Sequence, residues 1–377
     1  MSTMNAGLKA ELDAIDTQIV SLIKKRMDAS QKLTDAGALS AEMERATLAN
    51  VAAASEKGME DYNESIFRSM MVAQRSYANA MRGAPSGAYD EIRRALENTP
   101  SLFPQRATVA CQGLEGAYSQ IVCDNIFKSP AIMYFDSFEH VFRAVEAGMC
   151  QYGILPIENS TAGSVNAIYD LMLQHHFSIV RSARLRVSHC LLAKPGTKLE
   201  DIKEIYSHPQ ALSQSAGFLS QLSGVKLTEV SNTAVAAKLV AESGRRDVAA
   251  LSSRYCGEHY NLESIRTDVQ DSGSNYTRFI CISKTPQIYP GADRISLMMI
   301  IPHKPGALYN VISKFNSLGI NLRKLESRPI PEREFEFMFY FDIEVSVYSP
   351  EIETLFRDLE SSSEQMRYLG TYSEILC

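Results

Sequence analysis

Four stretches carry hydroxyls, amides or N–H donors where strand patterns end, and the last of them adds a cation. Asp271-Ser272-Gly273-Ser274-Asn275 is a run of small polar residues. It leads into Tyr276-Thr277-Arg278-Phe279-Ile280-Cys281-Ile282, whose alternation reads as a buried strand. Thr277 and Arg278 at the mouth of such a strand are costly unless they meet a partner. A hydroxyl beside a guanidinium suits a carboxylate that also carries a leaving oxygen, although a structural acid opposite Arg278 would explain the pair equally well. Gly113-Leu114-Glu115-Gly116-Ala117-Tyr118-Ser119 sets glycines before a helix start, where N–H groups can hold an anion. Glu158, Asn159, Ser160, Thr161 and Ser164 cluster around Gly163. Ser207-His208-Pro209-Gln210 opens a further helix with Gln214 beyond it, and an ordinary N-cap accounts for that start too.

Other chemistries find no support. His208 has no paired Ser and Asp, and reads as structural or substrate-lining. His175 and His176 end a helix, where they suit its dipole. There is no phosphate-binding GxxxxGK[ST] loop and no dinucleotide fingerprint, so neither cofactor nor metal is expected. The 7 cysteines are scattered without C-x-x-C or zinc spacing and read as core residues in a reducing compartment. A net charge of -6 offers no field for nucleic acid or anionic lipid. No apolar run is long enough to span a bilayer, and Met1-Ser2-Thr3-Met4-Asn5-Ala6 lacks a signal-peptide pattern, so a cytoplasmic protein is expected.

The elements that must position these residues fall into three blocks, as 377 residues allow. Apolar residues at helical spacing predict helices over about 7–34, 41–56 and 61–81. The first has a long apolar stripe that needs a partner, so the block is either a dimerisation module or a catalytic one. Arg82-Gly83-Ala84-Pro85-Ser86-Gly87 breaks the pattern, and a charged helix from Tyr89 to Asn98 bridges onward. From Thr108 short strands alternate with helices, which predicts mostly parallel sheets. Ser178–Ala193 is longer than a typical strand, and the Thr277 stretch can serve as the return crossing. Two α/β lobes joined by two extended strands place a cleft at the strand ends. From Arg294 the order is βαββαβ, that of a small ferredoxin-like ligand-sensing domain.

Together these segments resemble the prephenate dehydratases, most closely the fused P-protein type. The resemblance rests on Gly113–Ser119, Pro156-Ile157-Glu158-Asn159-Ser160, Ser207-His208-Pro209-Gln210, Thr277-Arg278-Phe279, Pro305-Gly306-Ala307-Leu308 and Leu325-Glu326-Ser327-Arg328-Pro329, in the family's order. It implies a multidomain chain: an all-α chorismate-mutase-like domain at 1–82, a linker at 83–104, a two-lobed, periplasmic-binding-protein-like α/β dehydratase domain at 105–285, and an α+β ferredoxin-like ACT domain at 294–377. The implied reaction takes prephenate to phenylpyruvate, carbon dioxide and water. Thr277 would be the essential hydroxyl, with Asn159, Ser207 and Gln214 beside it and Glu158 as an alternative proton donor if burial raises its pKa. Arg278, Gly116, Ala117, Tyr118, Ser119, Ser160 and Thr161 would bind the substrate. Phenylalanine, as effector, would bind Gly306, Ala307, Leu308, Asn321, Glu326, Ser327 and Arg328 between paired ACT domains, which makes a homodimer or homotetramer the expected assembly.

The N-terminal block departs from its family's pattern. Lys9 stands where Arg is usual, Arg26 and Arg45 match, Gly37 falls near the usual Lys, Ala46 replaces the usual Glu, and Gln74 and Ala78 fall where Ser and Gln are usual. A mutase-like site of Lys9, Arg26, Arg45 and Gln74 would therefore hold chorismate weakly or not at all, since each lost charge-assisted contact costs about 1.5–3 kcal/mol. A fully bifunctional enzyme and a non-catalytic two-lobed sensor are the alternatives.

Overall fold

The computed structural model describes residues 3–36, 40–82, 86–331, 333 and 336–377. Gly37, the Gly83–Pro85 break and, within the expected βαββαβ segment, Phe335 lie outside the described residues. The chain forms two compact units. One comprises residues 1–89, 304–314 and 350–364, and the other 90–303, 315–349 and 365–377.

Helices α1 (Thr3–Asp35), α2 (Ala41–Ala54) and α3 (Glu60–Arg82) come first, and α4 (Gly87–Asn98) follows. The α2 start is capped by Ser40, whose hydroxyl accepts from the Met43 N–H at 3.2 Å. Leu8, Leu12, Ile15, Ile19 and Leu22 of α1 are all exposed, so the apolar stripe read from the sequence is uncovered within its own unit.

Among the described residues the second unit holds three sheets. In the first, β1 (Thr108–Gln112), β2 (Ala131–Phe135) and β3 (Tyr152–Asn159) run parallel, connected through α5 (Tyr118–Ile126) and α6 (Phe138–Glu146). A short β4 (Gly163–Ser164) folds back on β3, and α7 (Asn166–Gln174) leads into β5 (Ser178–Arg186). The chain then crosses to the second sheet at β6 (Cys190–Ala193). It continues through β7 (Glu204–Ser207), α8 (Pro209–Ser213), α9 (Ala216–Leu219), β8 (Lys226–Glu229), α10 (Thr233–Glu242), β9 (Val248–Ser252), α11 (Arg254–His259) and β10 (Glu263–Arg266). The order there is β10-β6-β9-β7-β8. The return crossing delivers β11 (Tyr276–Ser283) to the first sheet, antiparallel between β3 and β5. The expected long strand over Ser178–Ala193 is thus two strands in two sheets, with Ser188 and His189 in the connection.

The third sheet is antiparallel, with β12 (Arg294–Ile300), β13 (Asn321–Pro329), β14 (Phe337–Glu344) and β15 (Gln365–Tyr372) in the order β13-β14-β12-β15. Helices α12 (Ala307–Ser317) and α13 (Ile352–Ser362) intervene in sequence. One element has no sequence signal: β16 (Glu374–Leu376) leaves the third sheet and pairs in parallel with β5 of the first. The two sheets also share a core, in which Leu155, Ile168, Tyr169 and Ile280 meet Met298, Met338, Tyr340 and Tyr372. Tyr169 and Tyr340 contact edge-on at 5.2 Å.

Candidate active site

The two crossings bring the expected polar loops to one cleft of about 330 Å³. Its walls include Gln112, Tyr118, Ser119, Asn159, His189, His208, Gln214, Asn232 and Thr277. Strand alternation decides which residues reach it. Thr277 is opposite Asn159, and Arg278 is opposite Glu158. Neighbours on a strand face opposite sides, so Thr277 and Asn159 enter the cleft while Arg278 and Glu158 face away.

A ring of hydrogen bonds holds Thr277. Asn159 Oδ1 accepts from the Thr161 N–H at 3.0 Å, the Ala162 N–H at 2.9 Å and the Thr161 hydroxyl at 2.7 Å. Those backbone donors leave Asn159 Nδ2 no choice of side. It donates to Asn275 Oδ1 at 2.8 Å and to Thr277 Oγ1 at 2.9 Å. Asn275 Nδ2 donates to Gln214 Oε1 at 3.0 Å, and Gln214 Nε2 donates to Thr161 Oγ1 at 2.9 Å, which closes the ring. Asn159, Thr161, Gln214 and Asn275 therefore tie both lobes and the return crossing together. Because Thr277 Oγ1 accepts from Asn159, its own proton is directed elsewhere and can be given to a bound ligand.

Gln214 Oε1 also meets His189 Nε2 at 3.2 Å, and His189 Nδ1 lies 3.2 Å from the Tyr118 hydroxyl, which donates to the Ser188 carbonyl at 2.8 Å. A neutral imidazole protonated on Nε2 donates to Gln214 Oε1, and the single Tyr118 proton then goes to the Ser188 carbonyl or is shared with the bare Nδ1. Burial pushes the His189 pKa down, with Gln214 opposing. The folded value thus lies below the ordinary one of about 6.5, and the unfolded chain binds the extra proton between the two. Stability from the neutral ring is complete above the ordinary value and is lost as pH falls through it. His208, shifted the same way by burial, adds a component of the same sign. Thermal unfolding at pH 7.5 and pH 5.5 (about one unit either side of that value) tests this. His189→Gln is expected to show a smaller loss of Tm on acidification than the wild type, and an equal loss would contradict the assignment.

Several expected site residues are elsewhere. Arg278 is buried against Asp342 of β14, with Tyr372 Oη at 3.2 Å and Glu374 at 3.9 Å, so its charge is spent inside the protein. Glu158 lies 3.1 Å from Lys324 Nζ and cannot reach Thr277 from the far side of the sheet. Ser207 is fully buried and donates to the Leu251 carbonyl at 2.7 Å. Ser160 accepts from Tyr276 N–H at 2.9 Å and donates to Ser274 O at 3.0 Å, closing the loop ends rather than lining the cleft. The Gly116 N–H donates to Gln120 Oε1 at 2.8 Å and the Ala117 N–H to Leu114 O at 3.0 Å. Among the described residues, the N–H groups of Tyr118 and Ser119 at the α5 start have no such partner, and both residues line the cleft.

Asn275 and His189 were not expected. Asn275 stands in the polar run already noted, and the Ser188-His189 break inside the long extended stretch was the available signal. The lining residues include no Lys, Arg, Asp or Glu. An anionic ligand must therefore be held by the α5 and α10 helix starts, hydroxyls and amides.

The other expected sites are divided. In the first unit Arg26 donates to Gln74 Oε1 at 2.6 Å beside a small pocket of about 200 Å³. Lys9 and Arg45 are exposed and do not line it, while Glu44, which pairs with Arg75 at 2.5 Å, does. Gly306, Ala307 and Leu308 open α12 in the first unit, whereas Asn321, Glu326, Ser327 and Arg328 belong to β13 in the second. Alternation splits that strand. Asn321 and Ser327 are exposed, whereas Glu326 accepts from Ser164 and Arg328 makes a bidentate pair with Asp170 at 2.8 and 2.9 Å.

These features define a two-lobed α/β protein with an uncharged polar cleft built around a threonine hydroxyl. A family model described as prephenate dehydratase matches residues 109–287. Arogenate dehydratase/prephenate dehydratase 2, chloroplastic, of Arabidopsis thaliana is 36% identical over 75% of this chain and 80% of that protein. A prephenate dehydratase from Arthrobacter aurescens in complex with L-Phe is similar in structure, with TM-score 0.65, 26% identity, and coverage of 71% of this chain and 89% of that one. A structure described as the quorum quenching acylase GqqA has TM-score 0.64 and 32% identity over 70% of this chain and 97% of that one. The chain belongs to the prephenate dehydratase family and is a lyase. The cytoplasmic expectation is overturned by the chloroplastic location of the Arabidopsis relative. A composition of this kind is common to both compartments, so it could not discriminate between them.

Proposed function

We propose that the chain converts prephenate to phenylpyruvate, carbon dioxide and water on the route to L-phenylalanine, with Thr277 as the group that assists departure of the ring hydroxyl. The reading is carried by one observation: Asn159 Nδ2 donates to Thr277 Oγ1, which leaves the threonine proton for the ligand. Loss of the ring carboxylate releases an electron pair, which expels the hydroxyl and makes the ring aromatic. The protein has to bind two carboxylates, hold the leaving oxygen near a donor and exclude water. The Tyr118 and Ser119 N–H groups suit one carboxylate, and the α10 start at Asn232 and Thr233 suits the other. A threonine hydroxyl is a poor acid, so Thr277 orients the departing hydroxyl and relays to it a proton taken up from solvent, and the two leave as water. Amide hydrolysis would need a base on that hydroxyl, and Asn159 is a donor there that cannot take a proton.

The N-terminal helical block is a chorismate-mutase-like domain with little or no mutase activity. Supporting this, Lys9 and Arg45 stand away from the Arg26–Gln74 pocket, and Arg75 neutralises its acid Glu44. The uncovered α1 stripe supports a homodimer or homotetramer. The segment 294–377 is an ACT domain that binds phenylalanine as a feedback inhibitor, in keeping with its βαββαβ order. Parallel assays with prephenate, arogenate and chorismate test the function. Phenylpyruvate from prephenate, inhibited by phenylalanine, with no enzymic loss of chorismate is the expected pattern. Turnover of arogenate alone would reassign the substrate, and tight prephenate binding without turnover would favour a non-catalytic sensor.

A further inference from the structure

Arg278 carries a buried charge network beside the cleft, yet its side chain faces away from it. Its guanidinium pairs with the fully buried Asp342 of β14, donates to Tyr372 Oη of β15 at 3.2 Å, and has Glu374 of β16 at 3.9 Å and Glu158 of β3 at 4.0 Å. Glu374 is held in turn by Arg294 of β12 through two bonds of 3.0 Å. Two strands of the third sheet and the added strand thus converge on one side chain of the first sheet, with a third strand supporting Glu374. Such a cluster is a weak source of stability, because desolvating the charges offsets their attraction.

The backbone beside Arg278 shows what the cluster can do. Pairing between β11 and β3 slips by one residue between Arg278 and Phe279: Arg278 is opposite Glu158, but Phe279 is opposite Pro156. Ile157 is the extra residue of this bulge. A bulge bends its strand and re-aims the side chains next to it. The bulge is flanked by the Arg278–Glu158 pair, and the next pair along is Thr277–Asn159, the donor–acceptor pair at the cleft.

We propose that Arg278 is a positioning residue: gripped by Asp342, Glu374 and Tyr372, it fixes the bulge that sets Thr277 and Asn159 toward the leaving hydroxyl. The third sheet and β16 thereby act on the reaction through one residue adjacent to the catalytic hydroxyl. This inference rests on dehydration at Thr277 and is independent of where phenylalanine binds.

The test uses the full chain with Glu374→Gln, Asp342→Asn and Tyr372→Phe. Glu374→Gln keeps the shape but removes the charge and one of the two acceptors that Arg294 uses, and it is expected to preserve a cooperative melt even if Asp342→Asn does not fold. Misplacing a reacting group by a fraction of an ångström lowers kcat while binding persists, so kcat should fall roughly tenfold with KM nearly unchanged. A Thr277→Ser background, which keeps a hydroxyl and measurable turnover, supplies the discriminating readout. If the cluster acts through Thr277, Glu374→Gln costs clearly less there than in the wild type. Equal losses in both backgrounds, or a folded Glu374→Gln protein with wild-type kcat, would overturn the proposal. Absence of turnover in the unmodified protein would instead refute the dehydratase reading itself.

Discussion

Thr277→Ala is expected to lower kcat by about 10²–10⁴-fold while KM changes little, since general acid–base assistance has that worth. The reasoning is geometric. Asn159 Nδ2 is committed as a donor by the backbone N–H groups on its Oδ1, so only the Thr277 proton is left to meet the departing oxygen. The proposed carboxylate sites are the starts of α5 and α10, apart from Thr277, so substrate binding is expected to survive. Steady-state assays on prephenate, with binding measured separately, check the split. Full activity in Thr277→Ala would remove the residue from the mechanism, and a large rise in KM with unchanged kcat would make it a binding group. Thr277→Ser should retain part of the activity, because it keeps the hydroxyl and loses only the methyl that fixes its rotamer.

Gly370→Ala should be the most damaging small substitution for stability. Gly370 has φ +146 and sits where β15 passes β5, and a Cβ there would lie 2.1 Å from the Ile179 carbonyl oxygen and 2.8 Å from its nitrogen. Both obstacles are backbone in a sheet, so nothing can rotate away. Relief requires the third sheet to part from the first and breach the core they share. The expected cost is about 3 kcal/mol or more, read as a drop of several degrees in the apparent melting temperature. Gly148→Ala is the control. That glycine has φ +74 but nothing within 4 Å of a Cβ, so only the conformational penalty of about 1 kcal/mol applies. Similar melting of the two variants would mean that the sheets do not approach this closely.

Much of the architecture was legible in residue order. Helical periodicity located α1, α2 and α3 to within a few residues, and strand–helix alternation after Thr108 indicated a two-lobed α/β region. The loops around Asn159, Gln214 and Thr277 were identified as one polar site because hydroxyls and amides are conspicuous at strand ends. What failed were statements about which way a side chain points. Arg278 and Glu158 are charged residues beside reactive neighbours, and chemistry alone nominates them for the substrate. A strand turns adjacent residues to opposite faces, and the register of β11 on β3 sends this pair toward Lys324, Asp342 and Glu374.

β16 was missed for a related reason. Three residues have too short a pattern to read, and its pairing with β5 depends on the third sheet lying alongside the first. His189 and Asn275 enter the site only because the two crossings meet, a contact between residues distant in sequence. Local periodicity and residue chemistry thus determined the elements and the kind of site this chain builds. Strand register and the meeting of distant segments decided which hydroxyl lines the cleft and which charged side chains turn away from it, because a side chain's direction follows from pairing partners that no local pattern contains.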